Sequence, residues 1–164
     1  MIRPEIAEDR AKINDVVTAA FGRADEAQLV DLIRQRDQAL VSLVAEFEGD
    51  VIGHVMISPI TLSSRSAGAY GGLAPVSVLP STQNQGVGSA LMRGAIARAK
   101  DLGLRALFLL GHPNYYPRFG FEPSHIDNEY GATDAFMHLE LVPGALDGVT
   151  GLAKYVDAFA EVGA

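Results

Sequence analysis

The chain has 164 residues, 48% of them apolar and 20% charged, with a net charge of −7. That is enough to fill one core and too little for two, so a single domain over 1–164 is expected. The acidity argues against a nucleic-acid groove, and the lack of cysteine excludes disulfides, thiolate metal sites and a cysteine nucleophile.

The first residues, Met1-Ile2-Arg3-Pro4-Glu5, carry no signal-peptide core, and no apolar run reaches membrane-spanning length. A cytoplasmic protein without a membrane partner is the default expectation, and a homodimer is compatible with it.

Ile2-Arg3 before Pro4 reads as a short extended segment. Over 5–21, Ile6, Ile13, Val16, Val17, Ala20 and Phe21 fall at helical spacing, and Gly22 stops the run. Asp25 is a plausible N-cap for a second helix containing Leu29, Leu32 and Ile33. Its other face, with Asp31, Arg34 and Arg36, reads as a solvated surface. A hairpin follows: residues 40–47 form one strand, Glu48-Gly49-Asp50 a turn, and 51–57 the returning strand. Residues 63–72 are a polar connection that could instead hold the start of the next strand, which is expected over 73–79. Pro75 removes a ladder donor from that strand and predicts an irregularity or bulge.

Beyond Pro80 a polar loop, Ser81-Thr82-Gln83-Asn84-Gln85-Gly86, gives way to helical spacing at Val87, Leu91 and Ala95. Gly86 and Gly88 allow a ligand close to the backbone, and the first N–H groups of the helix have no partners within it. Orphan donors at the positive end of a helix dipole suit an anion, above all a pyrophosphate. A nucleoside triphosphate loop is disfavoured, because no lysine lies between Lys12 and Lys100. A dinucleotide fingerprint is disfavoured too: Leu91 stands where its third glycine would be, and Asp101 comes too early to be its acid.

The helix is expected to end near Leu102 with Gly103 as its C′ residue, and 104–110 reads as a strand covered on both faces. Gly111-His112-Pro113-Asn114 is a break, followed by a short aromatic element, Tyr115-Tyr116-Pro117-Arg118-Phe119-Gly120-Phe121. Residues 135–141 resemble a strand, and 152–162 a strand or a short helix. The order β-α-α-β-β-β-α-β-α-β predicts an α/β (α+β) fold, one mixed sheet with helices on both faces.

Two motifs carry a family resemblance. Gln83-x-x-Gly86-x-Gly88 resembles the R/Q-x-x-G-x-G/A pyrophosphate loop of the GCN5-related N-acetyltransferase (GNAT) superfamily. Tyr116, four residues before Gly120-Phe121, matches that family's Y-x-x-x-G-F segment, at the expected distance after the loop helix and its strand. The run from Gly111 to Phe121 is similar to G-D-P-x-Y-Y-x-R-F-G-F of the YhbS-like group, with His112 in place of the acid.

The resemblance implies a centrally splayed sheet in which the pantetheine arm of acetyl-CoA lies against backbone groups of Val76, Ser77 and Val78, as an added strand would. The pyrophosphate would rest on the amides of Gln85, Gly86, Val87, Gly88 and Ser89, Gln83 and Asn84 would shape the turn, and Asn114 and Arg118 would reach the pantetheine and nucleotide. Arg118 could equally be a surface charge. The implied reaction is direct acetyl transfer to a primary amine of a small molecule, peptide or protein, without a metal.

Tyr116 would protonate the departing thiolate, or else only pack against the pantetheine, while Tyr115 is expected in the core. The strand leading to the loop lacks the carboxylate that many family members use as base. Glu26 is the candidate in its stead, against the alternative of a first-turn residue that favours the helix dipole. Glu46, His54, His112 and a water held by Ser77 or Thr82 are the other options. A non-catalytic acyl-CoA-binding module and transfer of a longer acyl group are the rival readings.

Overall fold

The computed structural model describes residues 1–63 and 69–163, so the middle of the polar 63–72 connection lies outside the described residues. Strand β1 (Ile2–Pro4) leads through a 3-10 turn, Ala7–Asp9, into α1 (Arg10–Phe21). The helix expected from residue 5 thus begins with a tighter turn, and Gly22 ends it at φ +71°. Ile13, Val16 and Val17 form its buried stripe. Helix α2 (Asp25–Gln35) has Ala24 at its N-cap, so Asp25 is its first helical residue and not its cap.

Strands β2 (Val41–Phe47) and β3 (Asp50–Leu62) form the expected hairpin, with Phe47 opposite Asp50. Glu48 and Gly49 both take positive φ, 51° and 84°, the requirement of a two-residue turn matched to strand twist. β3 runs five residues beyond the expected end at Ile57; its last residues, Thr61 and Leu62, leave the main sheet to pair with β9 (Leu152–Lys154).

Strand β4 (Tyr70–Val78) begins inside the polar connection, the alternative that the sequence left open. The irregularity expected at Pro75 is present. Val55 lies opposite Val76 and Ile57 opposite Leu73, so Ala74 and Pro75 face the single residue Met56 across a bulge. The Ala74–Pro75 peptide is cis.

A 3-10 turn, Pro80–Thr82, and the loop precede α3 (Val87–Asp101), after which the chain continues through β5 (Ala106–Leu110), β6 (Glu122–Pro123), β7 (Asp127–Asn128) and β8 (Phe136–Glu140). The segment read as strand or helix is both: β9 and then α4 (Ala158–Val162). The main sheet runs β1-β2-β3-β4-β5-β8-β6, antiparallel throughout except at β4–β5. One apolar cluster packs α1, α2 and α4 on one face, and a second packs α3 on the other, the two-sided arrangement expected.

The reading of Arg34 as solvated is corrected. Its side chain is largely buried and donates to Glu5 at 2.8 and 3.0 Å and to Asp31 at 2.9 Å. Glu5 also accepts from Ser42, whose hydroxyl lies 2.8 Å from His54 Nε2. A carboxylate drawn under α2 needs compensating donors, and Arg34 supplies them.

Candidate functional site

The parallel pairing of β4 with β5 stops early. Only Tyr70, Gly71 and Gly72 have register partners, Ala106, Leu107 and Phe108, after which the two strands have none in common. β4 stays paired to β3 as far as Val78, and β5 stays paired to β8 as far as Leu110. One edge of β4 beyond Gly72 therefore faces a wedge-shaped gap. The Leu79 N–H donates to Ile52 O on β3, so strand alternation turns the polar backbone of Val78 and Val76 toward that gap. The Val78 carbonyl there accepts from Gln83 Nε2 at 3.2 Å, fixing the loop to the end of the strand.

At the mouth of the gap the loop turns through Asn84, φ +63°, and Gly86, φ +84°. Gly86 is the N-cap of α3 and provides no side-chain cap, which leaves the N–H groups of the first helical turn to an outside acceptor. Gly88 has another basis. A Cβ there would meet Tyr115 Oη at 3.6 Å and Val78 Cγ2 at 3.7 Å, ordinary contacts, so the fold itself does not demand glycine. The room it leaves opens onto a groove of about 560 Å³.

That groove is lined by Val76, Val78, Gln83, Asn84, Gly86, Val87, Gly88, Ser89 and Arg118 among the residues expected to hold a cofactor, together with Ala20, Phe21, Thr82 and Tyr115. Three expected residues do not line it. The Ser77 side chain is buried on the α1 side of the sheet, Gln85 borders a separate depression beside Met1 and Ile2, and Asn114 is exposed outside the groove. Arg118 is the one charged residue on the lining among the described residues. It donates from Nε to the Tyr115 carbonyl at 2.8 Å and stacks over the Tyr115 ring at 4.3 Å, a fixed cation at the edge of an anion-sized groove.

Tyr115 is corrected from core to groove wall: its hydroxyl lies 3.1 Å from Ser89 Oγ, and it carries Arg118 on its ring. Tyr115 and the start of the next 3-10 turn, Tyr116–Phe119, are irregular backbone, where neither helix nor strand periodicity assigns a face.

Tyr116 points the other way, into a second cavity of about 540 Å³ that shares Phe21 and Val76 with the groove. Its ring meets Tyr115 edge-on at 5.0 Å and Phe121 at 6.2 Å. Burial pushes its phenol above the ordinary value near 10, and neighbouring Tyr115 adds to this, so the group stays protonated at neutral pH. Among the described residues its hydroxyl has no hydrogen-bond partner.

Glu26 lines the same cavity, brought there by the first turn of α2. It is 6% exposed and held by Arg23, with Oε1 accepting from Nε at 2.9 Å and Oε2 from Nη2 at 2.6 Å. The other base candidates lie elsewhere. Glu46 pairs with Arg3 at 2.9 Å, His54 is wholly buried against Ser42, and His112 is exposed. The remaining cavity wall comes from Leu29, the β4 bulge, Leu110, and three residues that sequence reasoning missed: Tyr130, Tyr155 and Phe159.

The model of the acetyltransferase (GNAT) family matches residues 10–121. The uncharacterized N-acetyltransferase YhbS of Escherichia coli strain K12 is 34% identical over 164 residues, spanning 97% of this chain and 98% of its own length. The crystal structure of Escherichia coli YhbS in complex with CoA superimposes with a TM-score of 0.91 at 32% identity, covering 98% of this chain and 91% of that one. The uncharacterized N-acetyltransferase YjhQ of strain K12 is 38% identical over 127 residues, 76% of this chain and 70% of its own. A GNAT family acetyltransferase from Brucella melitensis, in complex with acetyl-CoA, superimposes with a TM-score of 0.83 at 36% identity and 97% coverage of each chain.

Proposed function

Since the chain belongs to the acetyltransferase (GNAT) family and is an acyl-CoA-dependent N-acetyltransferase, we propose that it transfers the acetyl group of acetyl-CoA directly to a primary amine held in the cavity beside Tyr116. One observation carries this reading: the gap between β4 and β5 joins the free amides of α3 at one end to the Tyr116 phenol at the other. A diphosphate seats on the amides of Val87, Gly88 and Ser89 with Arg118 at its flank. The pantetheine amides pair with the backbone of Val76 and Val78 as a strand would.

In the reaction the amine nitrogen attacks the thioester carbonyl, forming the C–N bond while the carbonyl electron pair moves to oxygen. A backbone N–H on the open edge of β4 stabilises that oxyanion. Collapse breaks the C–S bond, and the thiolate takes the Tyr116 proton. The proton lost by nitrogen passes to Glu26 or to water and returns to the phenolate, so the products are the amide and free CoA thiol. With ordinary values near 10 for a phenol and 8.5 for a thiol, the proton transfer is uphill by about 2 kcal/mol. Burial of Tyr116 steepens it further, so close positioning must compensate. A cytoplasmic location fits the supply of acetyl-CoA, and residues 1–164 act as one catalytic domain.

Calorimetry with acetyl-CoA, followed by an amine screen read by thiol release, tests the proposal. Binding with an affinity in the micromolar range and turnover of at least one primary amine are expected. No heat with either acetyl-CoA or CoA would end it.

A further inference from the structure

The second cavity has walls that are aromatic and almost without charge. Phe21, Tyr116, Tyr130, Tyr155 and Phe159 all line it, and Tyr155 packs on Phe159 at 4.8 Å and on Tyr130 at 6.0 Å. Glu26 is the one carboxylate on the lining among the described residues, and Arg23 covers both of its oxygens, so the site offers no net negative charge to a second ammonium. Among the described residues no lysine, arginine or histidine lines it either, so they offer a carboxylate or phosphate on the acceptor no partner. The Tyr155 hydroxyl is itself buried away from the cavity, so Tyr155 presents its ring there.

Building on the acetyl-transfer reading, we propose that the acceptor is a monoamine on an aromatic body, uncharged apart from its amine. An ammonium arriving here meets ring faces before it loses its proton, and the ring of the acceptor then fills the width between α1 and α4. A linear aliphatic amine or a lysine stem leaves that width empty. A polyamine or amino sugar brings further charges that none of the described wall residues can take up.

The test is a panel of phenethylamine, tyramine, n-butylamine, spermidine, kanamycin and a lysine-containing peptide, each assayed with acetyl-CoA by thiol release. The kcat/KM for phenethylamine should exceed that for n-butylamine by roughly 30-fold or more, the discrimination that burial of one aromatic ring supplies. Tyramine, also an aromatic monoamine, should exceed n-butylamine likewise. Thermal shift with CoA present provides a second readout, in which phenethylamine raises Tm and spermidine does not. Spermidine, kanamycin or the peptide reacting as well as phenethylamine would overturn the aromatic acceptor while leaving acetyl transfer intact. So would acetyl-CoA binding with neither turnover of nor thermal shift by any aromatic amine. Only the absence of acetyl-CoA binding removes both readings.

Discussion

A Cβ on Gly111 would lie 2.2 Å from Cε2 of Tyr116, so the ring of the candidate acid lies directly over a residue that must lack a side chain. Gly111 is not at positive φ, and the contact with Tyr116 alone demands glycine there. The end of β5 and the Tyr116 phenol are thereby fixed to each other.

Gly111→Ala should consequently mimic loss of the phenol. Tyr116→Phe is expected to lower kcat by about 10²- to 10⁴-fold, the usual worth of a positioned acid. Gly111→Ala should lower it by roughly 10²-fold through misplacement of the same ring. Acetyl-CoA affinity, measured by calorimetry, should change by less than about threefold in both, because neither residue lines the groove that receives the diphosphate. Equal losses of affinity and rate would instead mean that Tyr116 only packs against the pantetheine.

Gly88 separates ligand binding from stability. Its surroundings leave a Cβ at ordinary contact distance, so Gly88→Ala should fold, gain up to about 1 kcal/mol of helix stability, and keep its acetyl-CoA affinity within about threefold. Gly88→Val projects two further methyls into the groove and should weaken acetyl-CoA about tenfold or more, with Tm nearly unchanged. Parallel changes in Tm and affinity across the two variants would show that the glycine serves the fold alone.

The parts of the site that the sequence revealed are local. The Gly86 turn and the helix after it are encoded within a few residues, since an αL N-cap and free first-turn amides need no distant partner. The Pro75 bulge was legible for the same reason. Tyr130, Tyr155 and Phe159 escaped notice because they reach the cavity only through the folding of the C-terminal third against α1 and α2, contacts for which short strands leave no periodic trace. Arg34 was misread because a helical wheel shows which face is polar but not that Glu5, 29 residues away, is carried beneath it.

Glu26 and Arg23 form a pair whose two members should behave differently. If Glu26 takes the amine proton, Glu26→Gln lowers kcat/KM about 10²-fold with acetyl-CoA affinity retained. Arg23→Ala frees the carboxylate to accept that proton and should leave turnover intact. Equal kcat/KM for the wild type and both variants would transfer the role of base to water.

Stability should fall on acidification through the cluster that seats α2. Burial by itself would raise the Glu5 carboxyl, yet His54, Arg34 and Ser42 together hold it far below the usual carboxylate range. Burial also lowers His54, against the pull of Glu5. Both groups therefore bind protons more readily in the unfolded chain, and their contribution, complete at neutral pH, is lost as pH drops: for His54 below about 6.5, for Glu5 below about 4.3. Glu5→Gln leaves Arg34 with Asp31 as its remaining partner, and should cost about 2 kcal/mol at pH 7. Urea unfolding at pH 7, 5.5 and 4 should show the variant losing less stability than the wild type over the lowest interval. Because α2 also carries Glu26 and Leu29 into the acceptor cavity, the same variant should raise KM for the amine more than KM for acetyl-CoA. Parallel stability curves would mean that this cluster is not what titrates.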